Sequence, residues 1–535
     1  MRPRLLYRDR DFELRLRPSV RQNATTSVVP PPSLQVDMVQ DLELEVILKA
    51  MAAGDDYLHS VAESVLLASL DGPDAVLYRQ GVLADCLKHP TQIRSLYAMA
   101  VRGIEAERGV WLGYNSRHPD MVLYRARELL KLWLPQLHDL CVFADEQRET
   151  FRSEGMRSLL AMLSRQLTDD YLNGLRAHVQ RLALRQGALA KVCLGPGNRG
   201  SNYTLLHSEF DESWMLRLRR WFGVESASAL VYELADRDEA GGEIVAELKR
   251  RAISAAARAL GESTDHIMGF FWALRSELGF FVGCLNLHDR LAQKGEPSCM
   301  PEPSSPRIAQ LSARGLYDVS LSLSTSDRPV GNDIQADGKA LIVITGANQG
   351  GKSTLIRALG QAQLMMQAGM FVAAAAFRAN TCSSLYTHFK REEERELRGG
   401  KLDEELRRMR AIVERLKTSS LMLLNESFAS TNEREGSEIA RQVLQACIDS
   451  GIKVIYVTHL FDLAQSFYQQ GAPNMLFLRP ERRADSVRTF RILEGAPEPT
   501  SYGIDLYRRL FGAPDACSAN NAVTIECSER TPSPA

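Results

Sequence analysis

Ala340-Leu-Ile-Val-Ile-Thr-Gly-Ala-Asn-Gln-Gly-Gly-Lys-Ser-Thr354 decides how this chain folds. The apolar run at its start has the length and composition of a strand buried on both faces. A glycine-rich turn follows, and then Ser353 to Met366, where apolar residues recur at helical spacing. Gly346, Gly351, Lys352 and Ser353 stand at the GxxxxGK[ST] spacing. Between a strand and a helix, those glycines let backbone N–H groups converge on phosphate oxygens. Lys352 reaches the β and γ phosphates, and the Ser353 hydroxyl is placed to ligate Mg²⁺. The helix N-terminus adds its own partial positive charge. The stretch therefore predicts a P-loop for a nucleoside triphosphate and Mg²⁺.

Two more apolar runs follow, Leu421-Met-Leu-Leu and Lys453-Val-Ile-Tyr-Val, with helical stretches at Lys401–Leu416 and Glu433–Ser450. Strands alternating with helices imply a doubly wound α/β domain with a parallel sheet. The first run ends in Asn425-Glu426. At the carboxyl end of such a strand one polar residue belongs to the Mg²⁺ shell and the next carboxylate polarises the attacking water. Glu426 suits the water. Asn425 offers the metal a carbonyl oxygen but no charge, which predicts weaker metal binding, with Ser353 as the other protein donor. Thr458-His459 ends the last run; His459 either senses the γ-phosphate and positions water, or is a structural histidine at a strand end.

Working outward, residues 1–38 are arginine-rich, then polar and proline-rich, and read as an arm or linker. Residues 39–306 are mainly helical, with a strand-like insert at 188–236 around Gly195-Pro-Gly-Asn-Arg-Gly200. Pro297 to Pro306 marks a boundary. The α/β domain occupies 307–511, and 512–535 has the composition of a disordered tail. Lys+Arg 65 against Asp+Glu 66 gives a net charge of -1, which argues against gripping nucleic acid by bulk charge and leaves room for a local basic patch. No uninterrupted apolar run approaches about 18 residues, so no membrane span is expected. The charged start is not a secretory signal. Nine cysteines without a CxxC fit a reducing, cytoplasmic setting and exclude disulfide-framework and zinc-ribbon classes.

Together these segments resemble the ATPase domain of the MutS family of DNA mismatch-repair proteins. The resemblance runs through Thr345-Gly-Ala-Asn-Gln-Gly-Gly-Lys-Ser-Thr354, Asn425-Glu-Ser-Phe-Ala-Ser-Thr431 with Gly436, and Thr458-His-Leu-Phe-Asp-Leu463. Val330-Gly-Asn-Asp-Ile334 and Ser501-Tyr-Gly-Ile504 extend it over about 310–511. It implies a helical core and lever region, with the insert as a reduced clamp, followed by an ABC-ATPase-like P-loop domain. It also implies that Gly346, Ala347, Asn348, Gln349, Gly350, Gly351, Lys352, Ser353 and Thr354 hold ATP, that Glu426 is the catalytic carboxylate, and that His459 switches on the γ-phosphate. Thr431 to Gly436 would lie at a homodimer interface between ATPase domains. The sequence departs from the family at four places. Asn425 replaces an aspartate, and Pro329 stands where an aromatic often packs on adenine. Gly399-Gly-Lys401-Leu-Asp403 replaces a Gly-x-Ser-Thr-Phe segment, leaving Lys401 to contact a phosphate in trans. There is also no room for the N-terminal mismatch-reading domain, and Phe210-Asp-Glu212 is a chance likeness to its Phe-x-Glu.

Two functions fit. One is a dimeric DNA-binding ATPase that clamps DNA or a DNA-repair complex in an ATP-dependent way without reading mismatches. The other is a weakly hydrolysing nucleotide switch that engages a repair-protein partner. Trp214-Met-Leu-Arg217-Leu-Arg219-Arg220-Trp221-Phe222 is either a phosphate-gripping, base-stacking patch or an amphipathic segment with its tryptophans in the core. Glu392 through Arg408 reads as an exposed mixed-charge face.

Overall fold

The computed structural model describes residues 1–14, 33–70, 72–110, 119–182, 190–194, 200–205, 239–347, 349–391, 400–482 and 488–498. The helical region contains α1 (Ser33–Asp41), α2 (Leu44–Ala52), α3 (Asp56–Leu66), α4 (Pro73–Lys88), α5 (Pro90–Arg108), α6 (Pro119–Glu146), α7 (Glu154–Gln166) and α8 (Asp169–Arg181). The hairpin β1 (Ala190–Leu194) and β2 (Gly200–Leu205) is antiparallel, and α9 (Glu239–Gln293) returns from it. Then come β3 (Glu302–Ser304), β4 (Leu311–Leu316), α10 (Val319–Ser324), β5 (Asn332–Gln335), β6 (Leu341–Ile344) and α11 (Lys352–Gln367). The chain continues through β7 (Ala376–Asn380), β8 (Leu385–Phe389), α12 (Lys401–Val413), β9 (Leu421–Asn425) and α13 (Glu433–Asp449). It ends, as described, with β10 (Lys453–Val457), α14 (Phe461–Gln469), β11 (Met475–Arg482) and β12 (Arg488–Glu494).

The spine of the helical region is the 55-residue α9. Its stretch from Ile253 to Gln293 is long and apolar enough to cross a membrane, a property the search for uninterrupted apolar runs does not detect. Most of that stretch is buried within the fold. Phe270, Phe271, Leu274, Leu278, Phe280 and Phe281 pack against α2, α3, α5 and α6. At about 25 cal/mol per Å² of apolar surface, such a row is what keeps antiparallel helices together.

The second region is built on a six-stranded sheet ordered β12-β11-β6-β10-β9-β8, in which β12 alone runs antiparallel. β6, β9 and β10 are continuous apolar runs because helices and loops cover both faces. A second, four-stranded mixed sheet, β3-β7-β4-β5, was not anticipated. The boundary expected at 306 falls behind its first strand, because β3 already pairs with β7.

The expected arm at 1–38 needs a larger correction. Residues 1–14 are docked, and α1 already begins at Ser33. Leu5 and Leu6 are fully buried, and their backbone N–H groups donate to Glu277 Oε2 on α9 at 2.8 and 2.6 Å. The wholly buried Arg79 of α4 donates to the Leu6 carbonyl through Nε (3.1 Å) and Nη2 (3.0 Å), and to the Ala368 carbonyl at the end of α11 through Nη1 (3.0 Å). One guanidinium thus joins the N-terminal strap, the helical region and the helix that follows the P-loop. Arg79→Ala would leave the buried Leu6 and Ala368 carbonyls without their donor and take a positive charge from the neighbourhood of Glu277, and should lower stability by about 2–5 kcal/mol. Chemical denaturation with both tryptophan fluorescence and far-UV dichroism checks this; a loss under about 1 kcal/mol would mean the strap is not held by Arg79.

Candidate functional site

Strand register assembles the site. Ile344 pairs with Val457, and Val457 with Asn425, so the carboxyl ends of β6, β10 and β9 form one row. The residues just beyond them continue the ladder: the Thr458 N–H donates to Ile344 O at 3.1 Å and the Glu426 N–H to Val457 O at 2.8 Å. Three separate stretches of sequence therefore deliver the P-loop, Asn425-Glu426 and Thr458-His459 to the same edge, where ligands of open parallel sheets bind.

The P-loop winds into α11 with Gly351 at the N-cap in the left-handed region. Lys352 is buried, and its Nζ donates to Gly346 O (2.7 Å) and Ala347 O (2.8 Å). Burial pushes the Lys352 ammonium down to about 8, opposed by the Glu426 carboxylate. Ser353 is exposed, and its Oγ donates to Asn425 Oδ1 at 3.3 Å, which sets two oxygen donors side by side. Ala347 and Thr354 are half-buried, Gln349 is exposed with φ 61°, and Asn348 lies outside the described residues.

One residue not anticipated from sequence closes over the loop. An added Cβ on Gly346 would lie 2.6 Å from Pro480 Cδ, and one on Gly350 2.6 Å from Pro480 Cγ, so the Pro480 ring of β11 rests directly on the loop backbone. The neighbouring β12 is clamped by Asn332, whose amide accepts from Ile492 N–H (2.7 Å) and donates to Phe490 O (3.3 Å). Asn332 sits in the Val330–Ile334 segment and carried a signal; Pro480 carried none.

Glu426 accepts a 2.7 Å hydrogen bond from His459 Nε2. That bond, with Lys352 and Lys390 nearby, holds the Glu426 carboxyl below the usual carboxylate range despite partial burial. The site is therefore an anionic base beside an exposed hydroxyl, an amide oxygen and a lysine. In this arrangement His459 is bonded to the carboxylate.

Behind Glu426 lies a buried polar network that the sequence did not reveal. His388 on β8 has Nε2 3.1 Å from the Glu405 carbonyl and Nδ1 2.7 Å from Ser427 Oγ. A carbonyl can only accept, so Nε2 carries the proton, and the single Ser427 hydroxyl hydrogen is shared between Nδ1 and the His388 carbonyl, 2.7 Å from Oγ. Glu405 of α12 accepts from Phe428 N–H (Oε2, 2.9 Å) and from the Ser430 hydroxyl (Oε1, 2.7 Å). Tyr456 Oη donates to Ser427 O at 3.2 Å. The run Glu392–Arg408, expected to be an exposed face, thus contributes a buried carboxylate at Glu405; residues 392–399 lie outside the described residues.

Burial holds His388 down at about 4, below its usual 6.5. Its neutral form is the native one, so its contribution is complete above about 6.5 and is lost as pH falls towards 4. The stability gap between wild type and His388→Gln should narrow by on the order of 3 kcal/mol across that window. Urea midpoints at pH 7 and pH 4.5 measure it. Asp41, raised to about 6 chiefly by burial, titrates in both proteins and cancels in the difference. A gap that does not change with pH would rule out the neutral-histidine account.

Trp214–Phe222, Phe210-Asp-Glu212, Gly399, Ser501–Ile504 and the tail lie outside the described residues. Lys401 begins α12.

Residues 71–294 match the family model described as the MutS2 N-terminal domain, and 342–525 match MutS domain V. "Endonuclease MutS2" of Thermus thermophilus is 30% identical over 171 residues, covering 32% of this chain and 23% of that protein. "DNA mismatch repair protein MutS" of Thermotoga maritima is 33% identical over 192 residues, 35% of this chain and 24% of that protein. "Endonuclease MutS2" of Lactiplantibacillus plantarum is 29% identical over 193 residues, 36% of this chain and 23% of that protein. The matched stretch is under a quarter of each relative's length. Two family models in the order helical region then P-loop domain, on a fold with that same order, make this chain a member of the MutS family.

Proposed function

We propose that the chain is a DNA-binding ATPase, hydrolysing ATP with Mg²⁺ at the carboxyl ends of β6, β9 and β10. The observation that carries this reading is the convergence of Lys352, the Ser353–Asn425 pair and the Glu426–His459 pair at one sheet edge. The fit to Mg²⁺ rests on donor chemistry: Ser353 Oγ and Asn425 Oδ1 are adjacent, uncharged oxygen ligands, the kind a hard cation takes alongside waters and phosphate oxygens. When bound, the ion neutralises charge building up on the phosphates. Lys352 does the same from the opposite side once phosphate oxygens replace the loop carbonyls. Phe490, exposed beside Gly351, offers the base an aromatic face that Pro329 does not. Glu426 accepts the proton of the attacking water, and His459 keeps its carboxylate ionised and aimed. Pairing of two copies through the ATPase domains belongs to the same reading.

The DNA half is supported by a groove of about 1160 Å³ along α7, where Arg148, Arg152, Arg157 and Arg165 outnumber Glu149 and Glu154. Among the described residues none of these four arginines has a carboxylate partner, whereas most arginines in the fold do. A concave site with a surplus of guanidinium groups suits a phosphate backbone, and it gives a chain of near-zero net charge a local basic patch. Gel shifts with duplex, forked, junction and single-stranded DNA, with and without ATP at low salt, test this. Retention that weakens with salt and with Arg157→Glu/Arg165→Glu is expected. No retention on any substrate would end the DNA reading, and absence of ATP turnover with tight ATP binding would end the enzymatic one.

A further inference from the structure

Glu426 and Phe428 both sit in the left-handed region, with φ 54° and 65°. Each such non-glycine residue costs about 1–2 kcal/mol, and the conformation persists only where its surroundings over-determine it. Ser427, between them, is fixed by His388 and Tyr456, both on strands of the same sheet. The remaining restraint comes from outside the sheet. Glu405 is buried on α12, in a run otherwise rich in exposed charge, and uses both carboxylate oxygens on this one turn. Its two carboxylate oxygens hold Phe428 N–H and Ser430 Oγ, and its backbone carbonyl orients the His388 ring.

We propose that Glu405 is a positioning residue for Glu426, gripping the 427–430 turn so that the Glu426 carboxylate stays bonded to His459 at the phosphate end of the P-loop. The inference rests on the ATPase reading above. A carboxylate with only a packing role would occupy the same place, so the two must be separated by kinetics rather than by stability. Releasing the turn allows Glu426 to withdraw from His459. Its carboxyl then leaves the place from which it reaches the attacking water, while the P-loop contacts to the nucleotide stay as they are. A packing role leaves the rate unchanged at temperatures where the protein is folded.

The experiment uses the full chain as wild type, Glu405→Gln, Glu405→Ala, Ser430→Ala and Glu426→Gln. Turnover at saturating Mg·ATP, affinity for a fluorescent ATP analogue and the thermal midpoint are measured for each. Glu405→Ala should lower kcat about ten- to hundredfold, since displacement by an ångström has that effect, while nucleotide affinity stays within about twofold. Glu405→Gln keeps one carbonyl oxygen for Phe428 N–H and should recover most of the rate, with Ser430→Ala between the two. Wild-type kcat in Glu405→Ala below its melting temperature, or a parallel fall in kcat and affinity, overturns the proposal. If Glu405→Ala does not fold, wild-type kcat in both Glu405→Gln and Ser430→Ala overturns it instead. Glu426→Gln distinguishes the two levels: full turnover there defeats the ATPase reading, whereas an inactive Glu426→Gln beside a fully active Glu405→Ala defeats this inference alone.

Discussion

Glu426→Gln is expected to lower ATP turnover by about 10²–10⁴-fold, the range that removing a general base produces, with nucleotide affinity nearly unchanged. The substitution is close to isosteric. The Gln carbonyl still accepts from His459 Nε2, and the strained turn loses none of its hydrogen bonds from Glu405, His388 or Tyr456. What disappears is an ionised acceptor, held in that state by His459 with Lys352 and Lys390 nearby. Binding contacts come from the P-loop and α11, which the substitution does not touch. The signature is thus a fall in kcat without a matching change in affinity, measured by steady-state phosphate release beside an equilibrium nucleotide titration. A parallel loss of both would show that Glu426 acts through the shape of the loop and not as a base.

Gly346→Ala should weaken nucleotide binding strongly, and for a reason that can be divided into parts. Gly346 has φ +112°, a conformation L side chains rarely adopt, and its new methyl would lie 2.6 Å from Pro480 Cδ. The backbone strain is about 1–3 kcal/mol, and forcing a methyl into the contact adds about 1–3 kcal/mol. The loop can escape only by moving away from β11, which takes its N–H groups out of their common focus. Affinity should fall by about a hundredfold or more, since each 1.4 kcal/mol is a factor of ten. Pro480→Ala in the same chain removes the clash but leaves the φ requirement. The double variant should therefore regain part of the affinity and not all of it. Full recovery would assign the effect to packing alone, and no recovery would assign it to backbone conformation alone.

What the sequence showed and what it hid follow a physical division. β6, β9 and β10 were legible because buried parallel strands need uninterrupted apolar runs, and each leads into a site residue at its carboxyl end. Lys352, Ser353, Asn425, Glu426 and His459 are therefore brought together by register alone. β3, β4, β5 and β7 were not legible: they are short, and β4, β5 and β7 alternate between buried and exposed positions with Gly, Arg and Asn among them. Glu405 was hidden differently. One carboxylate in a charged helix reads as solvated, and only tertiary packing shows that its partners are Phe428 N–H and Ser430. The docking of Leu5 and Leu6 was masked by the arginines around them, which suggested an extended arm; two leucines suffice once Glu277 and Arg79 receive the backbone polar groups between them.

α1 has one more consequence. β8 ends the six-stranded sheet, and α1 packs along it, with Asp41 accepting from Phe389 N–H at 3.4 Å, Asp37 paired with Arg391, and Arg408 Nε 3.4 Å from Asp37. A fragment cut at the apparent domain boundary and beginning at 307 would carry the whole parallel sheet yet leave its outer strand uncovered. An open strand edge is a template for pairing with other chains, so such a fragment should self-associate through β8. Restoring residues 33–43, as a fused segment or an added peptide, should keep it monodisperse. The first helix of the helical region is in this sense the guard that keeps the ATPase sheet from aggregating.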